Sequence, residues 1–243
     1  MSENFKLLDW SEFPASFSKW KLNPTGAHLE TTELSPGVYA LISSIPGVDN
    51  AGFVVGESGV LVIDAHISVQ MANQILERVR EVTDKPILYL VNSNYHADHT
   101  FGNCAFPAET LVVQHRRTAA LVPYFEHERE FMLPCVDNDP KIFEGVTLRL
   151  PDIVFDDYIR FDLGGRVVEC HWFGPGQHAG GHHDLRARCQ GRLDGQRHRR
   201  HLRPRARNGR PHLPGHPHPL CPDPRRQNAR PGAHADGRRQ SSR

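Results

Sequence analysis

Two imidazoles and a carboxylate stand within four residues at His96, Asp98 and His99. Imidazole nitrogen is a borderline-soft donor and carboxylate oxygen a hard one. That combination suits zinc, with iron and manganese chemically compatible as well. On a tight loop the adjacent Asp98 and His99 can face one ion while His96 faces a second. The alternative is a polar loop that happens to contain histidines. Against it stands the position of the cluster, directly after the apolar run ILYLV at 87–91. Such a run reads as a short strand buried on both faces.

The elements around this cluster follow from hydrophobic periodicity. Residues 37–44 and 52–65 read as strands, the second broken into a hairpin by a Glu57-Ser58-Gly59 turn. From Ser68 the period becomes helical, with Met71, Ile75, Val79 and Val82 on one face, Ser68 as cap and Pro86 as terminator. Residues 110–114 predict another strand, followed by an amphipathic helix to about Tyr124. Later strands are expected at 146–150, 158–162 and 166–173, the last two flanking a Gly164-Gly165 turn. Strand–helix–strand alternation followed by hairpins predicts an α/β layered sandwich.

Other candidate groups carry less chemistry. Asp64 ends the VLVIDA strand, where a carboxylate can serve as a structural cap. His66 follows in the same loop and reads mainly as a loop histidine. His115 and His127 suggest packing or solvent roles, and His171 a packed strand position. Cys104 reads as a small buried hydrophobe. The five cysteines are widely spaced without a C-x-x-C pair. They predict reduced thiols and a cytoplasmic setting, not a disulfide framework. The start, MSENFKLLDW, lacks the pattern of a secretory signal, and no apolar run is long enough to span a membrane.

Composition divides the chain sharply. Its 243 residues carry 29 basic against 28 acidic side chains, a formal charge of +1. Residues 178–243 hold 16 Arg against 4 Asp, a charge of +12, whereas residues 1–177 hold 13 basic and 24 acidic groups, −11. All aromatic residues of the Phe, Tyr and Trp types precede residue 178. A segment without aromatic or β-branched residues buries too little surface to offset its ordering entropy, which predicts a disordered tail. Three segments result: an N-terminal extension at 1–34, a folded domain at 35–177 and the tail at 178–243.

The stretch NSNYHADHTFGN resembles the metal-binding loop of the metallo-beta-lactamase fold, whose motif reads H-x-H-x-D-H. VLVIDA ending at Asp64, the helix after it, ILYLVN and FGPG at 173–176 add to the likeness, which covers roughly residues 35–177. The resemblance implies an αββα sandwich with one or two zinc ions and a hydrolytic reaction on a small-molecule β-lactam, lactone, thioester or phosphodiester. It places His96 on a first zinc and Asp98 and His99 on a second. Asp98 would also orient the attacking water, and the resemblance gives Asp64 the role of orienting a ligand histidine.

Two departures from the family pattern follow. Asn94 occupies the place of the first histidine and resembles the N-x-H-x-D single-zinc subclass. After FGPG the family continues G-H-T-P-G, but this chain reads Gln177-His178-Ala179, which puts His178 one place late and leaves it unassigned. Read one nucleotide later, the codons from Gln177 permit NTPGDTMIYVPDAKVAWTGN, which looks like the family's continuation. The composition therefore predicts a reading-frame shift near residue 177 and an incomplete, weakly active or inactive hydrolase. The competing expectation is a non-catalytic protein whose basic tail binds nucleic acid through phosphate contacts. The sequence leaves the oligomeric state open.

Overall fold

The computed structural model describes residues 7–175, 183–191 and 200–201. Four strands open the larger sheet as an antiparallel meander: β1 (Leu29–Ser35), β2 (Val38–Ser43), β3 (Ala51–Val55) and β4 (Val60–Ile63). Helix α1 (Val69–Val82) then crosses over to β5 (Ile87–Val91), which runs parallel to β4. Strands β6 (Leu111–His115) and β7 (Ile153–Phe155) extend the parallel half, so the sheet order is β1 through β7 in sequence. A second, antiparallel sheet contains β8 (Tyr158–Asp162), β9 (Arg166–Pro175), β10 (His183–Gly191) and β11 (Arg200–His201).

Side-chain alternation explains why the central strands are apolar without interruption. Phe53, Val60, Val62, Leu90 and Val112 pack with Met71, Ala72, Ile75 and Val79 of α1. Their neighbours Val54, Leu61, Val91 and Val113 face the opposite way, against Phe161, Leu163, Val168 and Cys170 of the second sheet. One sheet is thus covered by a helix on one side and by a second sheet on the other. The described elements make the helix–sheet–sheet part of the expected αββα sandwich.

The expected α1 face holds through Val79, and the Ser68 hydroxyl accepts from Met71 N at 3.2 Å as its cap. Val82, in the last turn, is 37% exposed because the helix has passed the edge of the sheet's core. The strand expected at 146–150 is absent: this segment is irregular, with Leu148 and Leu150 exposed. Arg149 fits the apolar–polar alternation of VTLRL, but its guanidinium donates to the carbonyls of Asn103, Phe106, Pro107 and Thr110. Those bonds tie the segment to the loops on either side of 106 and leave the sheet edge to β7.

The segment before residue 35 supplies β1 and an aromatic cluster. Trp10 stacks on Phe131 at 4.6 Å and donates its indole N–H to the Phe131 carbonyl at 2.8 Å. Among the described residues of the basic segment, 183–191 form β10 by pairing with β9. Gln177, His178 and most of the remaining tail lie outside the described residues. Among the described residues no helix is long and apolar enough to cross a membrane.

Candidate metal centre

The NSNYHADH segment is held by an amide network buried beneath it. Asn92 is fully buried and donates to the His99 carbonyl at 2.8 Å and to Asn103 Oδ1 at 3.0 Å. Its own Oδ1 accepts from Asn103 at 2.9 Å and from Gln114 at 2.8 Å. Such a closed network fixes the loop, since opening any one bond strands a buried polar group. Asn94 Oδ1 accepts from the His96 backbone N–H at 2.8 Å, so this side chain shapes the turn. A short helix, α2 (Ala97–Thr100), then sets Asp98 and His99 on its first turns.

His99 is the hub of the site. Its Nδ1 lies 2.9 Å from Asp64 Oδ2, while its Nε2 lies 3.3 Å from Asp49 Oδ2 and 3.6 Å from Asp98 Oδ2. Asp64 is itself locked, accepting from Ser93 N and from Ser93 Oγ, each at 2.7 Å. Both Asp64 and His66 adopt left-handed backbone conformations, φ 63° and 69°, which turn the chain sharply after β4. Non-glycine residues hold that conformation only where surrounding structure imposes it. Here Ala65 N donates to the His99 carbonyl and Gly102 N to the His66 carbonyl, each at 2.9 Å. A Cβ on Gly102 would stand 2.0 Å from the Ala65 carbonyl oxygen, so the approach of the two loops requires glycine.

Charge is concentrated in this cluster. Burial, and then the neighbouring Asp98, push the Asp49 carboxyl well above the usual carboxylate range. Burial likewise opposes ionisation of Asp98, but His99, a bond with Asp49 and His96 outweigh it and hold Asp98 down to about 2. For His99, burial disfavours the imidazolium, yet Asp98, Asp64 and Asp49 together raise it well above the ordinary histidine range. His66 is different: burial pushes it down to about 4, so it is neutral, and its Nε2 lies 2.8 Å from the Asp49 carbonyl oxygen.

The donor set fits a divalent cation. Asp49, Asp98 and His99 each offer a ligand atom within 4.8 Å of the others. Asp49 Oδ2 and Asp98 Oδ1 are enclosed and accept no hydrogen bond. Buried carboxylate oxygens without partners are rare, and a cation satisfies them.

Of the three metal-ligand candidates read from the sequence, Asp98 and His99 belong to the three-donor group, while His96, whose charge acts on Asp98, is engaged with Glu128. The His96 Nδ1 lies 2.7 Å from Glu128 Oε1, an oxygen that also accepts from Ala97 N at 3.2 Å. Glu128 comes from α4 (Phe125–Met132), after the short helix α3 (Arg116–Leu121). The His96 ring also packs on Tyr95 at 4.2 Å. His115 stacks on Trp172 at 4.9 Å, His127 Nε2 meets the Leu8 carbonyl at 2.8 Å, and His171 lies 3.6 Å from Glu169. Cys104 Sγ donates to the Phe101 carbonyl at 3.4 Å.

Sequence reading missed Asp49 and Glu128. Asp49 sits in the β2–β3 turn after Gly47, and nothing in its neighbours distinguishes it from an ordinary turn acid. Glu128 lies in a run of charged residues, EHERE at 126–130, that suggests a solvated helix face; in the structure it is 6% exposed.

Comparison with known proteins gives this geometry a lineage. A family model described as the metallo-beta-lactamase superfamily matches residues 45–189, well over half of the chain. The chain belongs to the metallo-beta-lactamase superfamily. The match contains every residue of the site described above and the first part of the basic segment. Among curated superfamily relatives, N-acyl homoserine lactonase of Bacillus thuringiensis is 27% identical over 154 residues, 58% of this chain and 60% of the lactonase. The chain thus spans about 60% of the length of the curated relatives it matches. Solved structures agree on the fold. The metallo-beta-lactamase of Pontibacter korlensis superimposes with a TM-score of 0.51 at 20% identity over 66% of each chain. FEZ-1 from Legionella gormanii gives 0.53 at 16% identity over 72% of this chain and 63% of its own.

Proposed function

We propose that this chain carries the metal-binding core of a zinc-dependent hydrolase acting on an ester, lactone or β-lactam bond of a small molecule. The observation that carries the reading is the convergence of Asp98 and His99 on one enclosed point, with Asp64 behind the imidazole. When bound, zinc supplies Lewis acidity and lowers the pKa of water toward about 7, making a nucleophile at neutral pH. The Asp64 carboxylate holds the His99 Nδ1–H, which directs Nε2 to the metal position and raises its basicity. Asp98 would hold the cation together with His99 and would orient the attacking water. Among the described residues one three-donor group is present, a place for one of the one or two ions expected. His96 remains the candidate for a first site, but its bond to Glu128 makes it a neighbour to the metal group in this structure. Manganese or iron would suit the same oxygen-rich donors.

The lactonase relatives make a lactone carbonyl a first substrate to try, beside a chromogenic β-lactam and an aryl ester. Turnover is expected to be low, because the basic segment after Gln177 stands where the family continues its ligand-bearing loop. In the same proposal that segment is the product of a reading-frame shift, which the DNA sequence across codon 177 tests. A single clean frame with no family motif in either alternative frame contradicts it. Metal analysis with the three substrates tests the enzyme reading: near-stoichiometric zinc with weak hydrolysis, lost in His99→Ala, supports it. A metal-free protein without hydrolysis in added zinc contradicts it.

A further inference from the structure

We propose that Asp49 is a third protein ligand to the cation held by Asp98 and His99, so that the metal group draws on the β2–β3 turn as well as on α2; this rests on the metal reading above. The first ground is geometric. Asp49 Oδ2 is 3.3 Å from His99 Nε2, the nitrogen left free by the Asp64 bond at Nδ1. Asp98 Oδ2 approaches the same nitrogen at 3.6 Å. Two carboxylates and one imidazole nitrogen thus aim at a common point.

The second ground is a carboxylate oxygen that no hydrogen-bond donor satisfies. Asp49 Oδ2 is enclosed and accepts no hydrogen bond, as is Asp98 Oδ1. The turn does not depend on it. Asn50 Oδ1 accepts from Ser43 N at 2.8 Å, and the Asp49 carbonyl is engaged by His66 Nε2 at 2.8 Å. Structural bonds in the turn are therefore made by the neighbouring side chain and the backbone. The Asp49 and Asp98 carboxylates both face His99 Nε2, so a cation at that point would satisfy the oxygens that no donor reaches.

The third ground is rigidity. His66 is 1% exposed and holds a left-handed backbone while clasping the Asp49 carbonyl, so the turn is fastened to the loop that carries Asp64. The ligand from the turn and the partner of the ligand from α2 therefore come from one clamped unit.

Cobalt(II), added to the full-length protein and followed by visible absorption and equilibrium dialysis, tests the assignment. One cobalt per chain is expected for the wild type. Asp49→Asn should weaken binding at least tenfold and change the visible spectrum, while the metal-free variant keeps a single cooperative unfolding transition. If Asp49→Asn does not fold, Asp49→Glu serves: a displaced carboxylate should alter the spectrum at retained charge. Unchanged affinity and spectrum in the variant, with cobalt still bound by the wild type, overturns Asp49 alone. No cobalt bound by the wild type overturns the metal reading and this assignment with it.

Discussion

Oδ2 of Asp64 lies 2.9 Å from Nδ1 of His99, and the same carboxylate takes two bonds from Ser93. This relationship fixes the imidazole's orientation before any cation arrives. Asp64→Asn keeps the left-handed backbone accessible but exchanges an anionic acceptor for an amide. Metal affinity is expected to fall about 10- to 100-fold, the usual cost of losing such a partner. Isothermal titration with zinc measures it, and Ser93→Ala should give a smaller loss in the same direction.

The His96–Glu128 pair predicts a stability effect in place of a catalytic one. Both side chains are close to fully enclosed, with exposures of 10% and 8%. Removing Glu128 takes a buried acceptor from both His96 Nδ1 and Ala97 N. Glu128→Ala is expected to destabilise the fold by about 3 kcal/mol. Urea unfolding of both single variants and the double variant measures the coupling, which should be favourable and above about 1 kcal/mol.

Asn92 is the keystone of the loop. Substituting Ala removes two donated and two accepted hydrogen bonds in a buried setting, for an expected loss of about 3 to 5 kcal/mol. Gln114→Ala breaks one of those bonds and should cost about 1 to 2 kcal/mol. Denaturant midpoints of the two variants, compared with wild type, check the order.

His66 predicts a pH signature. Its folded value of about 4 lies below the ordinary 6.5, so the unfolded chain takes up a proton that the folded chain refuses between those values. Its contribution is therefore complete above about pH 6.5 and is lost as pH falls toward 4, by about 3 kcal/mol over the interval. His66→Asn, whose side chain tolerates the left-handed backbone, removes this dependence. Unfolding free energies of wild type and variant should converge by that amount between about pH 7.5 and pH 4. A constant difference across that range contradicts the buried neutral histidine.

These effects fall unevenly between what the sequence displays and what only the fold assembles. The strands 87–91 and 60–63 are apolar at every position because both of their faces are covered, and that pattern is visible residue by residue. So is the Ser68 cap, and so are Asp98 and His99, whose types and spacing declare their chemistry. Asp49 and His99 are fifty positions apart, and their approach depends on a turn and a helix meeting at one end of the sheet. Glu128 was hidden by its charged neighbours, since only the packing of α4 shows which of several acids points inward. Arg149 disguised an irregular segment as a strand, because alternation cannot tell a guanidinium facing solvent from one bound to four carbonyls. Composition reports on side-chain burial and is silent about backbone pairing such as that of β10 with β9.

The central claim is that Asp98 and His99 hold a functional metal. Zinc content of the purified full-length protein, measured beside His99→Ala after dialysis against metal-free buffer and reloading, tests it most directly. The account predicts close to one zinc per chain in the wild type and a loss of at least tenfold in affinity in the variant. Equal zinc in both proteins, or none in either, would contradict it.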